Sequence, residues 1–156
     1  PWPTKRTSTE RSNVTASCYD LMLADNNYTR QPQYYAFILW SRFGKTMLGL
    51  NSNAPTSRLS AYAGRKDATH YTILVINKSG QSIRTGIRFS DGRQVSGGSA
   101  DVIRAASLNA TAVTFNNQTS IPNNLAVPSL SLTPYNGKVS YVFPPYSITL
   151  LTMTTP

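Results

Sequence analysis

The spacing of apolar positions changes about a third of the way along the chain. Within QPQYYAFILWSRFG, residues 31–44, Tyr35, Ile38, Leu39 and Arg42 follow the spacing of a helix, with Phe37, Trp40 and Phe43 around its side. Pro32 suits a first helical turn, because the N–H it lacks has no intrahelical partner there. Gly44 stands where such a helix would stop, free to take a left-handed conformation. The predicted helix is apolar almost all round, and a helix of that kind needs cover on more than one face. Before it, the chain reads as irregular except for one apolar run at residues 18–24, a candidate buried strand.

After residue 49 the period shortens. SRLSAYAG, YTILVIN, QSIRTGIRF, ADVIRAA, TAVTF, LAVPSLSL, KVSYVF and SITLLTM are short β-branched or aromatic runs. Turn residues punctuate them: Asn77-Lys78-Ser79-Gly80, Asp91-Gly92, Gly97-Gly98 and Asn136-Gly137. Ile83, Thr85, Ile87 and Phe89 alternate with Ser82, Arg84, Gly86 and Arg88, the pattern of a strand with one wet face. YTILVIN is apolar on both faces and is expected to be central and covered twice. Seven or eight such strands predict a mainly β fold, an antiparallel β-sandwich preceded by an irregular segment and one apolar helix. The expected division is a strand-helix segment at 1–49 and a sandwich at 50–156, with no internal repeat.

Composition narrows the chemistry. One cysteine, Cys18, allows no internal disulfide and no cysteine metal cluster, and a lone His70 adds no zinc site. Neither a metal nor a cofactor is expected. Fifteen Lys and Arg face six acidic residues, but the basic ones are scattered; the densest groups are Lys5-Arg6, Arg65-Lys66 and Arg84/Arg88. Scattered charge reads first as a solvated surface, so nucleic acid is disfavoured and polyanion binding ranks last among the alternatives. No apolar run approaches the length of a membrane span, and the first residues show no signal-peptide core, which a mature secreted protein would already have lost. Five N-glycosylation sequons, at Asn13, Asn27, Asn77, Asn109 and Asn117, fit a secreted, extracellular protein.

Candidate catalytic groups are sparse. Glycoside hydrolysis needs two carboxylates at a set separation, and Glu10, Asp20, Asp25, Asp67, Asp91 and Asp101 offer no pair that the pattern places on strand ends. His70 has no nucleophile elbow to serve, and SGGSAD lacks the Lys-Ser/Thr of a phosphate loop. Taken alone, this chain is a poor candidate for an enzyme, and no catalytic residue is assigned. Aromatic residues are more informative: nine Tyr and two Trp include Trp2, Tyr62, Tyr135 and Tyr146 as candidate platforms for a sugar ring. Tyr71 and Tyr141 could serve in the same way, but, lying in strand patterns, they are expected to fill the sandwich or lie on its face. Tyr35, Phe37, Trp40 and Phe43 on the helix are the candidate partner-facing set.

The order of these elements has a counterpart. A strand-like SCYDLMLAD, a Pro-led aromatic helix ending SRFG, the pair LSAYAGRKDATHYTILVINKS and a closing FPPYSITLLTM together resemble the C-terminal part of retaining glycoside hydrolases. Those enzymes join a (β/α)8 barrel to a β-sandwich, and include α-L-arabinofuranosidases, β-xylosidases, and some endoglucanases and glucuronidases. The matching motifs lie at residues 63–78 and 144–150, and the resemblance runs from about Cys18 onward. It implies that 1–49 is the end of a barrel and 50–156 its sandwich. Family catalytic glutamates sit on earlier barrel strands, and nothing here matches them. The resemblance therefore implies a non-catalytic region of a polysaccharide-degrading hydrolase, supporting a barrel or binding oligosaccharide or polysaccharide. The alternative is the small subunit of a processed hydrolase, active only with its large chain.

Overall fold

The structure, a computed structural model, describes residues 21–22, 30–121 and 127–156. Among them are one helix and nine strands: α1 (Pro32–Ser41), β1 (Thr46–Leu48), β2 (Leu59–Arg65), β3 (His70–Asn77), β4 (Ile83–Ile87), β5 (Gly97–Ala105), β6 (Val113–Phe115), β7 (Leu130–Ser131), β8 (Val139–Phe143) and β9 (Ser147–Thr154). The expected strand at 18–24 lies outside the described residues apart from Leu21 and Met22, and Met22 bridges to Arg30.

All strand pairs are antiparallel. The large sheet runs β1-β2-β3-β9-β5-β6, with β7 also on β5, and β4 pairs with β8 in a second sheet. The chain is thus the mainly β sandwich that its alternation predicts. Of the expected strand LAVPSLSL, residues 125–126 lie outside the described residues, and within 127–132 the strand is Leu130–Ser131, since Pro128 just before it has no N–H for a ladder. The three-residue β1 is too short to show a period, yet it joins the segment before residue 50 to the large sheet.

Register explains the core. Tyr71, Ile73 and Val75 on β3 share a face with Leu151 and Met153 on β9 and Ala100 and Val102 on β5. That face meets Val139 and Phe143 of the small sheet in the main core. Side chains one residue out of phase point the other way: Leu74, Leu150 and Ile103 pack with Leu39 of α1 and with Phe115 and Val127. β3 is therefore covered twice, as expected. Tyr71 is buried, and Tyr141 packs partly buried against the main core.

A ten-residue helix without a side-chain cap at Gln31 is marginal by itself, so packing must hold it. Leu39, fully buried, is the anchor; burying such a side chain contributes roughly 1.5–3 kcal/mol. The helix stops before Gly44, which is not in the left-handed region. Arg42 closes it in a right-handed conformation. Gly44 instead answers to a close approach, since a Cβ there would lie 2.6 Å from the backbone of Arg65. Gly97-Gly98 likewise opens β5 rather than forming a turn, because a Cβ on Gly98 would collide with the carbonyl of Thr152. Asn136-Gly137 does form the predicted tight hairpin, with φ of 48° and 69°.

Candidate functional site

Two surfaces gather the candidate aromatic residues. The first lies where α1 crosses the large sheet. Trp40 stacks on Phe43 with centroids 5.0 Å apart and planes 4° from parallel, and Tyr62 of β2 meets Trp40 edge-on at 6.1 Å. Gly64 lets this happen: a Cβ there would stand 2.8 Å from the Phe43 ring. Phe43 and Tyr35 turn toward the sheet and pack on the helix-side core. Phe37 and Trp40 turn away, 63% and 48% exposed.

Met47 pairs with Gly64, so it lies on the same face of the sheet as Tyr62, and it too is exposed. Of the expected partner-facing set, Tyr35 and Phe43 are thus drawn into the core, whereas Phe37 and Trp40 stand exposed on the side of the large sheet that also carries Met47 and the candidate sugar platform Tyr62. Sequence reasoning missed Met47, because the face of a three-residue strand is settled only by its pairing.

The second surface is the hairpin leading into β8. Tyr135 and Lys138 exchange backbone hydrogen bonds of 2.9 and 3.0 Å across the Asn136-Gly137 turn. The Tyr135 side chain is 80% exposed. A cleft of about 290 Å³ is lined by Thr133, Tyr135, Asn136, Lys138 and Ser140.

Other candidates fall elsewhere. Tyr146, at φ 47°, is half-buried and lines a separate apolar cleft of about 260 Å³ beside Pro32, Ala36 and Ile148. Its phenol lies against Gly80, where even a Cβ would be 2.7 Å from the hydroxyl oxygen. Trp2, Cys18, Asn13 and Asn27 lie outside the described residues. Asn109 and Asn117 are exposed. Asn77 is buried, and its Nδ2 donates to the carbonyls of Gln81, Phe143 and Pro144 at 2.8, 3.2 and 2.8 Å. The amide nitrogen that a glycan would occupy is therefore committed to holding the β3–β4 turn against the end of β8.

Each described carboxylate has a cationic or imidazole partner. Asp67 accepts from His70 Nδ1 at 2.8 Å, and this bond, with the Thr69 N–H, holds its pKa down at about 2. Asp91 is held below the usual range by the backbone N–H and then the guanidinium of Arg93. Arg93 also hydrogen-bonds the Tyr71 hydroxyl and covers the rings of Tyr71 and Phe89. A carboxyl held low is ionised at neutral pH and cannot act as a proton donor there.

Asp101 is buried and meets Arg42 at 2.7 Å, Asn116 Nδ2 at 3.0 Å and Ser129 Oγ at 2.6 Å. Among the described residues no group of three His, Cys, Asp or Glu side chains could hold a metal ion, and no helix is long and apolar enough to cross a membrane.

The fold is similar to part of several solved glycoside hydrolase structures. A GH30 endoxylanase from Clostridium papyrosolvens C71 matches with a TM-score of 0.59 at 16% identity, over 85% of this chain and 30% of that one. CelM2, a bifunctional glucanase-xylanase from a metagenome library, matches at 0.57 and 21% identity, over 80% and 22%. The arabinose-bound MgGH51 α-L-arabinofuranosidase matches at 0.56 and 17% identity, over 81% and 20%. The chain thus spans between a fifth and a third of the length of these structures, and at such identities the likeness is one of fold. No family model matches the sequence, and no curated protein does.

Proposed function

We propose that this chain is the non-catalytic β-sandwich region of a polysaccharide-degrading glycoside hydrolase, and that the outer face of α1 seats it against the catalytic barrel. The observation that carries the reading is the helix itself. One side is sunk into the large sheet through Leu39, while Phe37 and Trp40 stand exposed beside Met47 and Tyr62. A contiguous aromatic surface on a chain otherwise rich in Thr, Ser and Asn marks a place where another apolar surface belongs. The fold shared with GH30 and GH51 structures supports a barrel as that body. The sandwich adds contact with carbohydrate through a further exposed aromatic, Tyr135. An extracellular location accompanies a polysaccharide substrate.

The size of the protein in its native source tests this directly. Because 81–85% of this chain covers only 20–30% of the matched structures, a denaturing immunoblot should show a chain roughly three to four times longer than 156 residues. A chain near 156 residues that runs with a large partner under native conditions would favour the processed small subunit. A free monomer of that size would overturn both.

A further inference from the structure

We infer that the outer face of the β4–β8 sheet, closed at one end by Tyr135, is a binding site for an acidic glycan, one whose pyranose units carry uronate groups. The inference rests on the carbohydrate half of the reading above and assigns that half a place and a ligand class. Register puts the face together. Arg84 lies opposite Val142 and Gly86 opposite Ser140, and all four side positions are exposed. Partners across an antiparallel pair share a face, as do residues two apart. The Tyr135–Lys138 pair then places Tyr135, Lys138, Thr133 and Ser140 on one side of the hairpin. A Cβ on Gly86 would meet nothing within 4 Å, so the floor between Arg84 and Lys138 is an open trough.

Three properties of this trough select the ligand. Tyr135, 80% exposed beside the Asn136-Gly137 turn and held by its backbone bonds to Lys138, presents an aromatic ring at the trough end, suited to the apolar face of a sugar. Hydroxyl and amide groups of Thr133, Ser140 and Asn136 line the adjoining cleft, which at about 290 Å³ is at the small end of ligand sites. The charge is of one sign. Arg84, Lys138 and the exposed Arg88 just past β4 form no ion pair among the described residues, whose acids are engaged elsewhere: Asp67 with His70, Asp91 with Arg93 and Asp101 with Arg42. A neutral glycan would use the ring and leave the cations idle; a uronate uses both.

Titration of the 156-residue chain with tetragalacturonate and with xylotetraose, followed by calorimetry, tests this. At low ionic strength the acidic tetramer is expected to bind about tenfold more tightly than the neutral one. Y135A should weaken uronate binding about tenfold, and K138M or R84M several-fold, with most of the affinity lost in about 0.5 M salt. Tyr135 lies outside the core, and an unchanged melting temperature for Y135A would show that the fold is intact. Equal affinity for the two tetramers, or no binding of either, overturns the inference. So does uronate binding that Y135A leaves unchanged and that a single-stranded oligonucleotide matches, since charge alone would then account for it. Failure here would leave the chain length in the native source, and so the association with a barrel, untouched.

Discussion

The guanidinium of Arg42, the residue that closes the helix, reaches the buried carboxylate of Asp101 in the middle of β5 at 2.7 Å. Asp101 points to the helix side of the sheet because it is paired with Leu150, which faces the same way. The ion pair ties the helix end to the strand, and Asn116 and Ser129 satisfy the other carboxylate oxygen. R42M should leave Asp101 without its cation in a largely buried position. The full cost of orphaning a buried charge is about 3–5 kcal/mol; with Arg42 one-third exposed and two hydrogen bonds remaining, a loss of about 2 kcal/mol is expected. Urea unfolding would show it, and the double variant R42M/D101N should recover part of the loss.

Asn77 supports a second prediction. Its amide donates to three carbonyls, and its Oδ1 accepts from the Ser79 N–H and hydroxyl at 3.0 and 2.8 Å. N77A should destabilise by about 2–3 kcal/mol, because buried carbonyls lose their donor. N77D keeps the shape and the acceptor but not the donor, and should fail comparably. Expression through a glycosylating secretory host should give glycan at Asn109 or Asn117 and none at Asn77, read by peptide mass spectrometry.

Much of the sandwich was legible in the sequence because alternation is a local property. Ile83, Thr85 and Ile87 declared their inward face, and YTILVIN its double cover, without reference to any partner strand. The helix was legible too, but its end was not. Gly44 carries the signature of a left-handed stop, and nothing local reveals that the backbone of Arg65 passes 2.6 Å from where its Cβ would be. The same limit applies to the surfaces. That Trp40, Met47 and Tyr62 adjoin, or that Gly86 clears a floor between Arg84 and Lys138, depends on register between distant segments. Single residues could be nominated from composition, but their grouping required the pairings.

Gly64 gives a third prediction. A side chain there would enter the Phe43 ring, which is the stacking partner of Trp40. G64V should cost about 1–3 kcal/mol through overpacking and displace Phe43 from the sheet. In a W2F background Trp40 is the one remaining tryptophan, so its fluorescence reports the change. A shift toward the red relative to W2F alone is expected; an unchanged spectrum would show that the ring pair tolerates the added methyl groups.

Asp67 provides a pH signature. Its hydrogen bond from His70 lowers the pKa from 3.8 to about 2, so the folded state favours the ionised carboxylate. The contribution to stability is complete above about pH 4 and disappears as pH falls through about 2. Carboxyl carbon NMR should place the Asp67 midpoint near 2, and H70A should raise it toward 3.8, incompletely because the Thr69 N–H remains. A midpoint near 3.8 in the unmodified chain would mean that the Asp67–His70 bond does not form in solution.

The helix face can be tested by separating its two sides. Phe37 and Trp40 are exposed, whereas Leu39 between them is fully buried. F37S/W40S should therefore cost the isolated chain only about 1–2 kcal/mol, chiefly the Trp40 stack on Phe43, while L39A, which opens a cavity beneath the helix, should cost about 2–5 kcal/mol. On the proposed reading, the order of effects should change when the chain is joined to a catalytic barrel. F37S/W40S would then remove apolar contacts between helix and barrel, lowering the barrel's unfolding temperature and increasing proteolysis at the junction. If the double serine variant leaves the intact enzyme as stable as its parent, the outer face of α1 is not the seat of the barrel.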